Sequence, residues 1–142
     1  MNIVVIAVGR IRERELRSVA DEYLARVRRY VRCDEVEVRK GEGLEKAVPP
    51  DAWTVALEVD GDVVNSERLA RNLETWGSRG KGRIAFLIGG AEGIPVHVSR
   101  AADVRLSLSA LTLPHRLARV VLFEQLYRSM TILRGEPYAR ES

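Results

Sequence analysis

Two short stretches carry residue types from which a ligand site can be built. Phe86-Leu-Ile-Gly-Gly-Ala-Glu-Gly93 runs an apolar strand into three glycines within five positions, and Ile94-Pro95 beyond it offers the start of another helix. Glycines there let a ligand lie against bare backbone, and free amides at a helix start can hold an anion or the polar edge of a nucleotide. The spacing is not the GxGxxG of dinucleotide folds, nor does it end in the Gly-Lys-Ser/Thr of a P-loop, which counts against nicotinamide and nucleoside-triphosphate chemistry. A tight turn without a ligand is the alternative that the spacing leaves open.

The second stretch, Leu106-Ser-Leu-Ser-Ala-Leu-Thr-Leu-Pro-His115, keeps apolar residues running past a strand into what should be a solvated loop. Such a loop must be buried against something apolar or against a flat ligand, an ordinary buried connector being the plainer case. Ser109 and Thr112 supply hydroxyls, and backbone amides and carbonyls could read an adenine edge while leucines sandwich the ring. His115 follows Pro114 at the start of the last helix, placed to act as a general base, a hydrogen-bond donor or a structural cap. His97 has no such company and reads as exposed. Arg119, Arg128 and Arg134 on the last helix, and Arg140 beyond it, can each grip a phosphate or carboxylate in a fork, or pair with a neighbour such as Glu124. Pro137 and Tyr138 mark Glu136-Pro-Tyr-Ala-Arg140 as a tail that docks.

These residues need a frame. Ile3–Val8 is a β-branched run closed by Gly9 and predicts a parallel strand buried on both faces. Apolar residues recur at three and four from Glu13 to Val31, with Arg17, Arg26, Arg28 and Arg29 between them, predicting a long amphipathic helix with a basic side. Glu35–Val38 alternates as an outer strand would, and Gly41 to Pro50 holds at most a short helical turn. Trp53–Val59 and Arg83–Ile88 read as strands joined by a helix from Ser66 through Trp76. Val104–Leu108 is a further strand, and a helix runs from Pro114 to about Arg134, stopped by Gly135. Strands alternating with helices predict a single α/β domain over residues 1–142 with a mostly parallel sheet flanked by helices. The last helix is apolar around its axis at Leu117, Ala118, Val120, Val121, Leu122 and Phe123, so it needs a second buried surface. A symmetric partner helix, making a homodimer, is the economical source; an upstream helix is the alternative.

Composition narrows the chemistry further. Lys and Arg number 23 against 20 Asp and Glu, a formal charge of +3, too small an excess for a nonspecific polycation but compatible with a local RNA-facing surface. Cys33 is the only cysteine and the histidines number two, so a disulfide framework or a Cys/His zinc site cannot be assembled within one chain, and metal-free chemistry is expected. No stretch approaches the roughly 20 apolar residues of a membrane span, so a cytoplasmic protein is expected.

Taken in order, the Met1–Gly9 strand, Leu57-Glu-Val-Asp-Gly61, Leu87-Ile-Gly-Gly-Ala-Glu-Gly93, the Leu106–His115 stretch, Arg119-Val-Val-Leu-Phe-Glu-Gln-Leu-Tyr-Arg128 and Arg134-Gly-Glu-Pro-Tyr138 resemble the ribosomal large-subunit methyltransferase H family of the SPOUT class. The resemblance covers the whole chain. It implies a homodimer with a deep trefoil knot in its C-terminal half, using S-adenosylmethionine to methylate N3 of pseudouridine 1915 in helix 69 of 23S rRNA on assembled ribosomes. By motif, it places donor contacts on Leu57, Gly89, Leu108, Ser109, Ala110, Leu111, Thr112 and Leu113, and substrate handling on His115, Arg128, Tyr138 and Arg140. Two departures stand out. Ala139 occupies the position of a common tail histidine, and the stretch from Lys40 to Asp51 is shorter than in the family, which should trim a peripheral helix.

Methyl transfer to a ring nitrogen requires donor and acceptor in line and removal of the imide proton, for which His115 is the first candidate. Arg128 would stabilise the developing anion or hold a phosphate, and the tail, of the same or the partner subunit, would position the nucleotide. The basic side of the first helix is expected to meet rRNA phosphates. The rival reading is a non-catalytic ribosome- or RNA-binding dimer that retains the fold.

Overall fold

The computed structural model describes residues 1–140; the expected domain boundary at residue 142 lies outside the described residues. Five parallel strands, β1 (Asn2–Val8), β2 (Arg32–Val38), β3 (Trp53–Val63), β4 (Arg83–Ile88) and β5 (Val104–Ser107), form one sheet in the order β2-β1-β4-β3-β5. The helices are α1 (Arg14–Val27), α2 (Gly43–Ala47), α3 (Ser66–Arg79), α4 (Val96–Ala101) and α5 (His115–Leu133), and a 3-10 turn spans Pro137–Arg140. This is the expected α/β layering with an all-parallel sheet. β1 is interior as predicted, and β4, whose residues Ile84–Ile88 are all buried, takes the centre.

Because successive side chains in a strand point to opposite faces, each interior strand feeds two cores. Val5, Val55, Phe86 and Ile88 meet α1, α3 and α5 through Leu24, Leu73, Phe123 and Leu126. On the other face Ile6, Ala56, Ala85 and Leu87 meet Leu44 of α2 and Val98 of α4. α2, the one helical element between Lys40 and Asp51, is five residues long.

Two boundaries and one packing expectation differ from the sequence reading. α1 stops at Val27, not Val31: the amides of Tyr30 and Val31 both donate to Val27 O, turning the chain early into β2, which starts at Arg32. β3 does not end near Val59. Leu57 pairs with Leu106, residues 58–61 bulge outward, and Asp62 then pairs with the same Leu106. Gly61 permits this return, since a Cβ there would lie 2.8 Å from backbone atoms of Arg105 and Leu106. Third, α5 packs against α1, α3 and β4, so upstream helices cover most of its apolar surface. Its helix periodicity alone therefore no longer demands a partner subunit; Leu117 remains 37% exposed.

Candidate active site

Parallel sheets leave a crevice outside the carboxyl ends of their strands, and here it is lined by three irregular segments. After Ile88, Gly89 lies so close to the returning chain that a Cβ would sit 2.4 Å from Gly93 C and 2.7 Å from Ile94 N. Gly90 and Gly93 close the turn as a bridge, with Gly93 at φ +77°. After Ser107, the next loop is held by its own hydroxyls: Ser107 Oγ donates to Ser109 O at 2.7 Å, and the Leu111 amide donates to Ser109 Oγ at 3.0 Å. The bulge of β3 is the third wall.

Between them lies a cavity of about 300 Å³ lined by Leu57 to Asp60, the glycine turn, Ser107 to Ser109, Leu111 to Leu113, His115 and Ala118. Both stretches singled out in the sequence thus meet in one cavity, which brings together Leu57, Gly89, Leu108, Ser109, Leu111, Thr112, Leu113 and His115. Ala110 is the exception: it is exposed and outside the lining, because the Ser109 turn rotates it to the outer side of the loop. The loop is not the buried connector that its leucines suggested. Leu111 is 75% exposed at the cavity, apolar surface that a flat ligand would cover.

Sequence reasoning missed the charge of the cavity. Glu58 and Asp60 line it, with no Lys or Arg among the lining residues, and Glu58 Oε2 is held by Ser99 Oγ at 2.7 Å. The signal was present in Leu57-Glu-Val-Asp-Gly61, but only the bulge turns the segment into the crevice. A site with two carboxylates and no cationic side chain disfavours a phosphate-bearing ligand and suits one carrying positive charge.

The remaining candidates gather elsewhere. His115 and Arg128 are 13 residues apart on α5, about 20 Å along its axis. Arg128 and Arg140 line a second cavity of about 460 Å³ with Asn65, Ser66, Ile132 and Ala139. Beside this cavity Glu124 accepts from Arg128 Nε at 2.9 Å, the Tyr138 phenol at 3.0 Å and Gln125 Nε2 at 2.7 Å. Arg128 also lies over the Tyr138 ring, 5.0 Å from its centroid. The tail docks as predicted, Tyr138 resting on Tyr127 with ring centroids 4.5 Å apart and Tyr30 donating to Glu136 at 2.7 Å. Burial, then hydrogen bonding with Tyr23 and Glu124, pushes the Tyr138 phenol above its ordinary value, so it keeps its proton and donates a hydrogen bond to Glu124.

Two arginine expectations change. Arg119 is neither solvated nor paired with Glu124; it is fully buried, donating to Glu35 at 3.0 Å, to Glu37 and to Gly9 O at 3.0 Å. The basic side of α1 is largely committed within the protein: Arg17 to Glu35 at 2.6 Å, Arg26 to Glu22 at 2.6 Å, Arg28 to Cys33 O at 2.7 Å. His97 is exposed, 3.5 Å from Glu45. Among the described residues no group of three His, Cys, Asp or Glu could hold a metal, and no helix is long and apolar enough to cross a membrane.

Residues 1–139 match the family described as predicted SPOUT methyltransferase. The chain is 57% identical over 144 residues to ribosomal RNA large subunit methyltransferase H of Sorangium cellulosum, covering 98% of this chain and 99% of that protein. It is 40% identical over 157 residues to the protein of the same name in Shouchella clausii, covering 97% and 99%. A probable methylase family protein from Haemophilus influenzae shares the fold, with a TM-score of 0.66 at 11% identity over 96% of this chain and 70% of that one.

Proposed function

The chain belongs to the ribosomal RNA large subunit methyltransferase H family of SPOUT methyltransferases, and from that premise we propose that it transfers a methyl group from S-adenosylmethionine to N3 of pseudouridine 1915, in helix 69 of 23S rRNA, on assembled ribosomes in the cytoplasm. The observation that carries the donor assignment is the cavity lined by bare glycine backbone, leucines, Glu58 and Asp60 without a basic side chain. Leucines and the glycine turn suit an adenosine; carboxylates suit the positive charge of a sulfonium and an ammonium.

When bound, the donor supplies an electrophilic methyl carbon. The protein's own part is alignment and proton handling. Leu108, Leu111 and Leu113 exclude water from one side of the cavity, and Glu58 and Asp60 fix the charged end. The imidazole of His115, on the cavity wall, would take the proton that N3 of the acceptor base gives up on methylation. Arg128 and Arg140 hold the nucleotide and offset the charge that develops on the imide, with the Tyr138 hydroxyl fixing Arg128 through Glu124.

The 20 Å between His115 and Arg128 means that one chain does not present both to one nucleotide. A homodimer in which the partner's tail reaches the cavity resolves this, and exposed Val59, Leu111 and Leu117 beside the cavity provide apolar surface for it to cover. A knotted path through the C-terminal half belongs to the same reading.

The deciding experiment is methyl incorporation into ribosomes that lack the modification, with the product nucleotide located by mass spectrometry. A non-catalytic binding protein would give no incorporation and no heat with S-adenosylmethionine in isothermal titration. Mixing a Gly89→Ala subunit with an Arg128→Ala subunit tests the shared site: activity should appear in the mixture and be absent from each parent.

A further inference from the structure

With most of the α1 arginines committed internally, the cations available for RNA lie elsewhere. The β1–α1 connection carries Arg10, Arg12 and Arg14, and the end of β2 carries Arg39 and Lys40. All are exposed, and among the described residues none has a side-chain hydrogen bond or ion pair. β1 and β2 end together, the Gly9 amide donating to Val38 O at 2.8 Å, which sets Arg10 beside Arg39 and Lys40, and Arg12 and Arg14 follow within four residues on the connection that leaves this corner. Nearby acidic groups are largely spent. Glu13 pairs with Arg116, and Glu35 and Glu37 take Arg119, leaving Glu15 and Glu42 exposed at the margins. Other cations without a side-chain hydrogen bond or ion pair among the described residues, Arg29, Lys46, Arg68, Arg79, Arg100, Arg105, Arg134 and Arg140, are scattered over separate segments of the chain.

The patch also adjoins the donor cavity. Val8 packs on Gly90, whose added Cβ would lie 3.1 Å from Val8 Cγ1, and Pro95 packs on Gly41, 2.7 Å from where a Cβ would stand. Both contacts join the ends of β1 and β2 to the glycine turn and its continuation. A polyanion lying on the patch would therefore run along the rim of the cavity.

We propose that Arg10, Arg12, Arg14, Arg39 and Lys40 hold the phosphate backbone of the substrate RNA at this rim, in place of the α1 face. The proposal rests on the reading of the chain as an rRNA methyltransferase and specifies which surface meets the RNA. Phosphate contacts position without reading sequence and release counterions, so they are counted by salt dependence.

The test is an Arg10→Ala/Arg12→Ala/Lys40→Ala variant, titrated by fluorescence anisotropy with a synthetic hairpin of the large-subunit rRNA across a salt series. The slope of log K against log salt should shrink by about 2 to 3, while S-adenosylmethionine binding and the melting temperature stay as in wild type. An Arg26→Ala/Arg29→Ala variant should keep the wild-type slope. An unchanged slope in the triple variant overturns the proposal. So does weaker binding to ribosomes with the hairpin slope unchanged, which would assign the patch to a ribosomal protein. A wild-type protein that neither binds the donor nor methylates ribosomes would instead remove the underlying reading.

Discussion

Tyr138 donates its phenol hydrogen to Glu124 Oε2 across 3.0 Å, and the same oxygen accepts Arg128 Nε, so the docked tail and α5 are locked through one carboxylate. The phenol remains protonated well past neutrality, its pKa raised first by burial and then by Tyr23 and Glu124. Tyr138→Phe should slow single-turnover methylation about tenfold, the loss of one hydrogen bond, without changing donor affinity or the shape of the pH profile. His115→Ala should slow it about 100-fold or more. Rapid-quench methylation distinguishes the two by the size of the loss.

Arg119 has no exposed surface and ties α5 to Glu35 and Glu37 of β2 and to Gly9 O just past β1. Arg17 also reaches Glu35 at 2.6 Å and Glu37 at 3.7 Å, so removing Arg119 loses its own bonds without leaving either carboxylate unpaired. Arg119→Met should lower stability by about 1 to 3 kcal/mol in urea unfolding, and Arg119→Lys should recover little of it, because an ammonium lacks the fork that spans three acceptors.

The two glycines of the turn should respond differently. Gly89→Ala drives a Cβ to 2.4 Å from Gly93 backbone and should abolish S-adenosylmethionine binding, whereas Gly90→Ala meets only the Val8 side chain at 3.1 Å and should bind with modest loss. Asp60→Asn should weaken S-adenosylmethionine more than its thioether product, since the two differ by the sulfonium charge. Isothermal titration with both compounds checks this; equal losses would show that Asp60 does not sense that charge.

The Cys33 thiol is buried in the core, and desolvation pushes its pKa from 9.0 up to about 12. It should resist alkylation at mildly alkaline pH until the protein unfolds. Between about pH 9 and about 12 the unfolded thiol loses its proton while the folded one keeps it, so stability present below pH 9 should fall as pH rises through that window. Chemical denaturation of wild type and Cys33→Ala across this range isolates the contribution.

What the chain order alone determined was local. The β-branched run of β1, the apolar run of β4, the three-and-four spacing of α1, and the glycine and Ser-Ala-Leu-Thr-Leu-Pro-His stretches are set by neighbours within a few residues, and all but Ala110 of the expected donor contacts line one cavity. The tertiary structure decided what depends on distant partners. Similar arginines on one helix part company because Arg119 meets β2 while Arg128 meets the tail. Glu58 and Asp60 line the cavity only because β3 bulges and pairs twice with Leu106. The α1 arginines are spoken for because β2 lays Glu35 beside Arg17. A charge's availability is fixed by what the fold places within about 4 Å of it, and hydropathy periodicity carries no record of that.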